Sequence, residues 1–365
     1  MKSSSKNKID LFQYFRIPRL LEMSAIGIDI SDSAVRFVEL VKEGSNFIPR
    51  HLGERKLVPG IVVSGSIIKK DELVKVLASI AREEKYKFVK ASLPESKAYV
   101  FNVSIPDMPE ADIADAIVFR IEDNAPVSAS EAIFDYTIVG KNEKGEIEVS
   151  VTVVQESVIL EYIDLYNKAS LYPRSFELES RAIARALIAP NDAQTYLIVH
   201  IGENKTVFSI VRTGVVRFTS TLYVGSHNLT DAIGRSLSIN LQDAERLKST
   251  DSKADENDGK VFESISGALS SIKDEVNKLL IYWFTHKEPG TPGIQKIDEI
   301  LLSGKDSTIP GVLEYMSRNV KAPVRIADAW SVCFSYNDFV PEIEANDSLD
   351  FVTAIGLSLP KKFNA

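Results

Sequence analysis

Two copies of one short pattern, in which a polar turn joins two apolar strands, constrain the fold of this sequence more than any other feature. The first copy covers residues 26–41, I-G-I-D-I-S-D-S-A-V-R-F-V-E-L-V, and the second covers residues 196–212, Y-L-I-V-H-I-G-E-N-K-T-V-F-S-I-V-R. Apolar runs on both sides of a short polar break are typical of a strand, a tight turn and a second strand. Because the same order recurs in the middle of the chain, we predict two related halves.

The turn inside each copy predicts a binding site for an anion. Successive backbone N–H groups that a tight turn projects to one side form a concave nest, which suits a phosphate. Asp29 precedes the first turn, and Gly202 lies in the second. Two such hairpins that face each other can clasp one nucleotide between them, so a nucleotide site is the first functional prediction.

Length and charge exclude several other classes of protein. A chain of 365 residues exceeds one ordinary core, so we expect at least two domains. The formal net charge of -8 argues against a nucleic-acid partner, because nonspecific affinity for DNA or RNA needs clustered lysine and arginine. The one cysteine cannot form an internal disulfide, and no run approaches the roughly 20 apolar residues that span a bilayer. We therefore expect a cytoplasmic protein.

Changes in periodicity along the chain predict how the rest is organised. Helical spacing covers residues 70–85, 110–122, 158–168 and 176–188, and strand-like runs cover 61–68, 88–93, 98–105, 133–140 and 147–154. The strand-helix-strand-strand-helix unit after residue 95 has the length of a small inserted domain. The predicted division is 1–24 as a tail, 25–95 as part of the first domain, 96–173 as the insert, 174–196 as a connecting helix of the first domain, 197–329 as the second domain and 330–365 as a return to the first domain.

The tail leaves two alternatives open. Ile9, Phe12 and Phe15 have helical spacing and Pro18 ends the pattern, so residues 9–22 can form a weak amphipathic membrane anchor or can pack on the first domain. A segment of roughly ten residues binds a membrane weakly unless a protein partner helps.

Together these pieces resemble the actin-like ATPase fold shared by actin, sugar kinases and heat-shock chaperones. The features that carry the resemblance are the two hairpin loops, the connecting helix, an E-x-x-K helix at 275–278 and an L-L-S-G turn at 301–304. The insert is similar to the extra subdomain of the bacterial FtsA family and of the PilM family of type IV pilus assembly. The runs S-I-P-D-M-P-E-A-D-I, L-E-S-R-A-I-A-R-A-L and V-G-S-H-N-L-T-D-A-I-G-R-S-L look closer to PilM. The resemblance implies an α/β fold of two related actin-like halves, with an inserted α+β subdomain in the first half.

The same resemblance implies ATP and Mg²⁺ as cofactors and a set of residues that bind them. In the family, the two loops hold the phosphates, and the E-x-x-K helix contacts adenine and ribose. Carried over to this sequence, the nucleotide-binding residues are Asp29, Ser31, Asp32, Ser33, Gly202, Glu203, Asn204, Lys205, Thr206, Glu275, Lys278, Gly304 and Lys305, with Asp29 as the magnesium ligand. No catalytic residue is assigned.

Three departures from the family pattern predict a degenerate ATPase site. Ser31 replaces the glycine of the first loop, His200 replaces the aspartate that orients magnesium through water, and Lys305 replaces a second glycine. Two unit charges about 4 Å apart at an effective dielectric near 20 interact by roughly 4 kcal/mol. Losing even about half of that weakens magnesium binding more than tenfold. Lys205 can act as a point charge on phosphate, which favours binding over hydrolysis.

The leading functional prediction is an adaptor of a type IV pilus, or of a related secretion or competence machine. By resemblance, a groove between the first subdomain and the insert takes the N-terminal cytoplasmic peptide of a PilN-like inner-membrane protein, which holds the adaptor peripherally at the inner membrane. One alternative is an active, polymerising actin-like ATPase, against which His200 and Ser31 argue. The other is a cell-division membrane anchor like FtsA, for which the C-terminal sequence L-P-K-K-F-N-A is too short to form the anchoring helix.

Overall fold

Two five-stranded mixed sheets form the two halves of the molecule in the computed structural model. The model describes residues 25–190, 192–249, 258–285 and 295–360. The predicted tail at 1–24, with its segment 9–22, lies outside the described residues. Within the described ranges, no helix is long and apolar enough to cross a membrane.

The first half opens with three antiparallel strands, which confirm the first predicted hairpin. They are β1 (Ile26–Ile30), β2 (Ala34–Glu43) and β3 (Asn46–Lys56). A small hairpin, a helix and a strand parallel to β1 follow: β4 (Val62–Val63), β5 (Ser66–Ile67), α1 (Lys70–Glu83) and β6 (Phe88–Leu93).

Strand β3 is not predicted by the periodicity of its sequence, N-F-I-P-R-H-L-G-E-R-K, which contains a proline and several charged residues. Among the described strands it lies at the edge of the first sheet and pairs only with β2. Proline cannot donate to a sheet and is tolerated at such an edge. Glu39 on β2 faces His51, and the next residue, Leu40, faces Pro49. The register therefore shifts by one residue, and Arg50 is the extra residue on β3. The edge position therefore explains why this segment forms a strand although its sequence does not predict one.

The insert is a three-stranded antiparallel sheet covered by one helix. Its elements are β7 (Ala98–Ile105), α2 (Glu110–Asn124), β8 (Ala132–Lys141) and β9 (Ile147–Gln155), with β9 in the centre. The next helix, α3 (Glu156–Lys168), buries Tyr162 and Tyr166 in the core of the first sheet. The predicted segment 96–173 thus contains an independent core up to β9 and a helix that packs with the first half.

Strand β10 (Tyr172–Leu178) and helix α4 (Glu179–Leu187) correct one prediction. The sequence predicts a helix over 176–188, whereas residues up to Leu178 pair in parallel with β6 and complete the first sheet. The spacing of the apolar residues Phe176 and Leu178 fits a helix as well as a strand. Because these residues pair with β6, they form a strand, and the helix begins three residues later than predicted.

The second half repeats this arrangement and confirms the predicted duplication. Its elements are β11 (Thr195–Ile201), β12 (Thr206–Arg212), β13 (Val215–Leu222), α5 (Ser226–Leu237), α6 (Leu241–Ser249), α7 (Asp258–Thr285), β14 (Glu299–Ser303), α8 (Val312–Asn319) and β15 (Val324–Ile326). Strand order is β3-β2-β1-β6-β10 in the first sheet and β13-β12-β11-β14-β15 in the second. In both, three antiparallel strands are followed by two parallel ones.

The insert reaches across to the outer strand of the second sheet. Asn102 on β7 donates from Nδ2 to the carbonyl oxygen of Arg217 on β13 at 2.9 Å. Ser150 on β9 donates to the neighbouring carbonyl oxygen of Val216 at 3.3 Å. Polar side chains of the insert therefore satisfy carbonyl groups along the edge of the other half.

The chain ends with two helices, α9 (Ala345–Ser348) and α10 (Val352–Ser358), and α10 packs on α4 and the first sheet. Gly356 makes this approach possible, because a Cβ atom there would lie 1.8 Å from the backbone oxygen of Ala182. Arg185 donates from Nε to the carbonyl oxygen of Gly356 at 2.8 Å. The C-terminal segment is therefore an integral part of the first half.

Candidate functional site

The β1–β2 turn and the β11–β12 turn face each other across a cavity of about 1050 Å³ between the two halves. Both sheets contribute their central strands to it, and α5 and α6 close it on the side of the second half. Nine of the thirteen predicted site residues line this cavity: Asp29, Ser31, Asp32, Ser33, Gly202, Glu203, Asn204, Lys205 and Lys305. The structure thus brings the two predicted loops together around one space.

Two predicted residues of the second half support the cavity from behind. Thr206 is fully buried, and its hydroxyl donates to the carbonyl oxygen of Val224 at 2.7 Å. Gly304 has φ +88°, and a Cβ atom there would lie 2.1 Å from the backbone oxygen of Ile201. Glycine is needed at this position because β11 approaches closely.

The predicted E-x-x-K residues lie on a helix that does not line the cavity. Glu275 and Lys278 form an ion pair of 3.0 Å on α7, and in the described part of the chain neither lines the cavity. A second E-x-x-K, residues 245–248 on α6, does line it. Only 1% of the Lys248 side chain is exposed, and its Nζ lies 3.0 Å from both Glu245 and Asp306. Spacing alone cannot separate the two copies, because the choice depends on which helix faces the cavity.

Asp29 and His200 occupy equivalent positions in the two halves, one residue before the ends of β1 and β11. Each contacts a serine on the neighbouring parallel strand. Ser92 on β6 donates to Asp29 at 2.6 Å, and Ser303 Oγ on β14 lies 3.2 Å from His200 Nδ1. The duplication therefore extends to the polar pairs at the cavity floor, which the sequence analysis did not detect.

Burial shifts both of these groups toward their neutral forms. It raises the pKa of Asp29 to about 6, and the neighbouring carboxylate of Glu179 adds to the rise. Burial lowers the pKa of His200 to about 4, and the charge of Lys205 adds to the fall. His200 is consequently an uncharged imidazole at neutral pH, and it supplies no negative charge to a metal ion.

Lys205 lies among carboxylates at the cavity floor. Its Nζ is 3.0 Å from Glu179, the first residue of α4, and both side chains are mostly buried. Glu95, in the turn that leads into β7, accepts a 3.0 Å hydrogen bond from Ser180. Burial raises the pKa of Glu95, with the charge of Glu179 adding to it. Lys205 is thus the cation that stabilises an otherwise acidic cluster.

The two loops also contact each other directly. Ser33 donates a hydrogen bond to the carboxylate of Glu203, and Asn204 donates one to Asp32. Asp32 also accepts the backbone N–H groups of Ser64 and Gly65, at 2.8 Å and 3.0 Å. The Asp32 carboxylate therefore ties the first loop to the second loop and to the β4–β5 turn.

Two more basic side chains of the cavity are paired with acids. Arg36 on β2 lies 2.8 Å from Glu54 and 3.7 Å from Asp350, and Lys305 forms an ion pair with Asp347. Arg36 and its acidic partners were not predicted, because residues far apart in sequence meet only in the folded chain.

Magnesium fits the donors that are present only through a bound phosphate. Among the described residues, no group of three or more His, Cys, Asp or Glu side chains is arranged to hold a metal ion. Mg²⁺ prefers oxygen ligands and is usually held by one or two carboxylates together with substrate phosphates. Asp29 is a carboxylate of that kind, so its role as a magnesium ligand remains a prediction.

Comparison with known proteins identifies the family. A model of the type IV pilus assembly protein PilM matches residues 27–362, which is nearly the whole chain. The chain belongs to the PilM family. Members of this family are type IV pilus assembly proteins, and the predicted family is therefore confirmed.

Solved structures confirm the actin-like ATPase fold of this PilM family member. A chain of a PilM–PilN type IV pilus biogenesis complex is 20% identical, with a TM-score of 0.74, and the match covers 92% of this chain and 97% of that one. The ethanolamine utilization protein EutJ from Carboxydothermus hydrogenoformans is 13% identical, with a TM-score of 0.55 and coverage of 96% and 94%. MreB5 of Spiroplasma citri bound to AMPPNP is 15% identical, with a TM-score of 0.51 and coverage of 92% and 95%.

Proposed function

We propose that this PilM family member is a cytoplasmic adaptor in type IV pilus assembly. It recognises a peptide, and it binds a nucleotide but hydrolyses it inefficiently. The peptide is the N-terminal cytoplasmic segment of a PilN-like inner-membrane protein, which holds the adaptor at the membrane. The nucleotide is an adenine nucleotide, bound in the cavity between the two halves. The observation that carries the proposal is the neutral histidine at the position where the fold family orients magnesium.

The cavity supports nucleotide binding by its position and by its loops. Two polar turns face each other across the cavity, and the backbone N–H groups of such turns can form a nest for a phosphate chain. Glu245 and Lys248 on α6 take the place that was predicted for Glu275 and Lys278, as the pair that contacts the base and ribose. MreB5, which has the same fold, has been solved with ADP and with AMPPNP.

The residues at the cavity floor argue against efficient hydrolysis. His200 is half-buried and neutral, and its Nδ1 faces Ser303. Mg²⁺ prefers hard oxygen ligands, so an imidazole in place of a carboxylate removes both a charge and a suitable donor. Lys205, which can approach a phosphate, adds affinity without supplying a base or a metal ligand.

Replacing His200 tests this part of the proposal. Isothermal titration with ATP should give wild-type affinities that differ by less than about threefold with and without Mg²⁺, and phosphate release should stay at background. In the His200→Asp variant, Mg²⁺ should strengthen ATP binding by about tenfold, which corresponds to about 1.4 kcal/mol from a restored carboxylate.

His200→Asn is the matched control, because it has nearly the same shape as the aspartate without its charge, and it should remain insensitive to Mg²⁺. Wild-type binding that requires Mg²⁺, together with phosphate release, would instead support an active ATPase. No ATP binding in either condition would leave peptide recognition as the function of the molecule.

The insert supports peptide recognition. It projects from the first half as a separately packed unit, and it is joined at one place where Ala98 pairs with Val154. The solved structure with the same overall fold pairs PilM with PilN. We place the peptide in a groove between the first half and the insert, as the resemblance to the family implies.

Excision of the insert tests the location of this groove. Because Ala98 and Val154 are opposite each other, a two-residue link can replace residues 99–153 and leave α3 on the first sheet. Binding of a fluorescent peptide from the N-terminal segment of a PilN-like protein should fall at least tenfold by anisotropy, since about 1.4 kcal/mol corresponds to a factor of ten. ATP titration of the same variant reports whether the remainder is folded, and retained peptide binding would place the site elsewhere.

A further inference from the structure

Four of the basic side chains that line the cavity bring little net positive charge to a ligand. Arg36, Lys205, Lys248 and Lys305 are each within ion-pair distance of a carboxylate. A polyphosphate that enters the cavity must therefore share each of these cations with an acid that already holds it. The charge that a ligand carries becomes a strong determinant of its affinity.

Glu203 adds a carboxylate between the two loops. It accepts the hydroxyl hydrogen bond of Ser33, so a carboxylate of the second loop engages the hydroxyl group of the first loop. Burial raises the pKa of Glu203, His227 and Arg36 oppose the rise, and the carboxylates of Asp350 and Asp32 add to it. This carboxylate is partly buried, with charges of both signs around it.

We infer that Glu203 makes the cavity select a nucleoside diphosphate over the corresponding triphosphate. The inference rests on the proposed nucleotide function and names the ligand within it. A diphosphate carries one charge fewer and leaves the contact between Ser33 and Glu203 in place. A third phosphate has to enter between the two loops, break that hydrogen bond and place its charge against the carboxylate.

Titration with ADP and ATP in the presence of EDTA tests the inference on the full chain. Wild-type protein should bind ADP at least tenfold more tightly than ATP, a difference that corresponds to about 1.4 kcal/mol. Glu203→Gln keeps an oxygen that can accept from Ser33 but removes the charge. This variant should bind ATP about tenfold more tightly than wild type and ADP within about threefold of wild type.

Asp231→Asn is the matched control, because Asp231 lines the same cavity from α5 and does not belong to either loop. It removes one negative charge without touching the loops, so the ratio of ADP to ATP affinity should change by less than about threefold. A similar change in both variants would mean that the overall charge of the cavity, rather than Glu203, sets the preference, and this would overturn the inference.

Two other outcomes separate this inference from the proposed function. Wild-type protein that binds ATP as tightly as ADP would overturn the selectivity and leave the nucleotide site in place. Protein that binds neither ADP nor ATP would overturn the nucleotide site itself, and the selectivity with it.

Discussion

Gly356→Ala should destabilise the first half by about 3 kcal/mol or more, although alanine is the better helix former. The added Cβ would lie 1.8 Å from the backbone oxygen of Ala182, and a backbone atom cannot rotate out of the way as a side chain can. Helices α10 and α4 must move apart. That movement also weakens the hydrogen bond from Arg185 to the carbonyl oxygen of Gly356. Urea unfolding monitored by circular dichroism measures the loss.

Gly267→Ala provides the matched control on another helix. Gly267 is exposed on α7, and a Cβ atom there meets nothing within 4 Å. The same substitution should therefore increase stability by roughly 0.5–1 kcal/mol through helix propensity alone. If both variants gained stability, α10 and α4 would not be in the close contact described here.

Lys205→Met should cost about 3 kcal/mol of stability at pH 7.5, because it leaves mostly buried carboxylates without their cation. Lys205 Nζ lies 3.0 Å from Glu179, and its charge also lowers the pKa of Asp29 and of Glu95. Methionine keeps the length of the side chain, so the loss reports the charge rather than a cavity. Urea unfolding at several pH values measures it.

The pH dependence of this loss has a definite sign. The pKa of Asp29 is about 6 in the folded protein and 3.8 in the reference state, so the folded state binds the proton more tightly. Such a group contributes stability that is present below its unfolded pKa and is lost as pH rises through the folded pKa. Without Lys205 the pKa of Asp29 rises further. The deficit of the variant should therefore be at least about 1 kcal/mol smaller at pH 5 than at pH 7.5.

Two further variants separate a buried pair from an ordinary surface pair. Lys205→Met combined with Glu179→Gln removes both charges and should recover most of the lost stability, since a neutral replacement of a buried pair is often tolerated. Lys296→Met breaks an exposed ion pair with Asp298 and should cost less than about 1 kcal/mol. Equal losses in the two single variants would mean that Lys205 is no more important than a surface lysine.

The sequence predicts the halves and the loops well because both depend on local signals. Each hairpin has uninterrupted apolar strands around a short polar break, and Asp29 and Lys205 are positioned by the turns beside them. The edge strand β3 is not predicted because Pro49 disfavours a strand, and the segment by itself does not indicate that β2 will pair with it. Phe176 likewise belongs to a strand only through its pairing with β6.

The rest of the site depends on contacts between distant residues. Ser92 meets Asp29 only when β6 pairs with β1 in the first sheet, and Glu179 meets Lys205 only after the two halves have come together. The E-x-x-K at 245–248 and the one at 275–278 have the same spacing, so local chemistry cannot rank them. The position of α6 against the cavity distinguishes them, and that position is a property of the whole fold.

The hydrogen bonds from the insert to β13 give the insert a mechanical role. The insert is attached covalently to the first half, while Asn102 and Ser150 hold carbonyl groups of the second half. It therefore bridges the two halves. A movement that separates the two halves has to strain or break these hydrogen bonds, so the width of the cleft is coupled to the position of the unit proposed to bind the peptide.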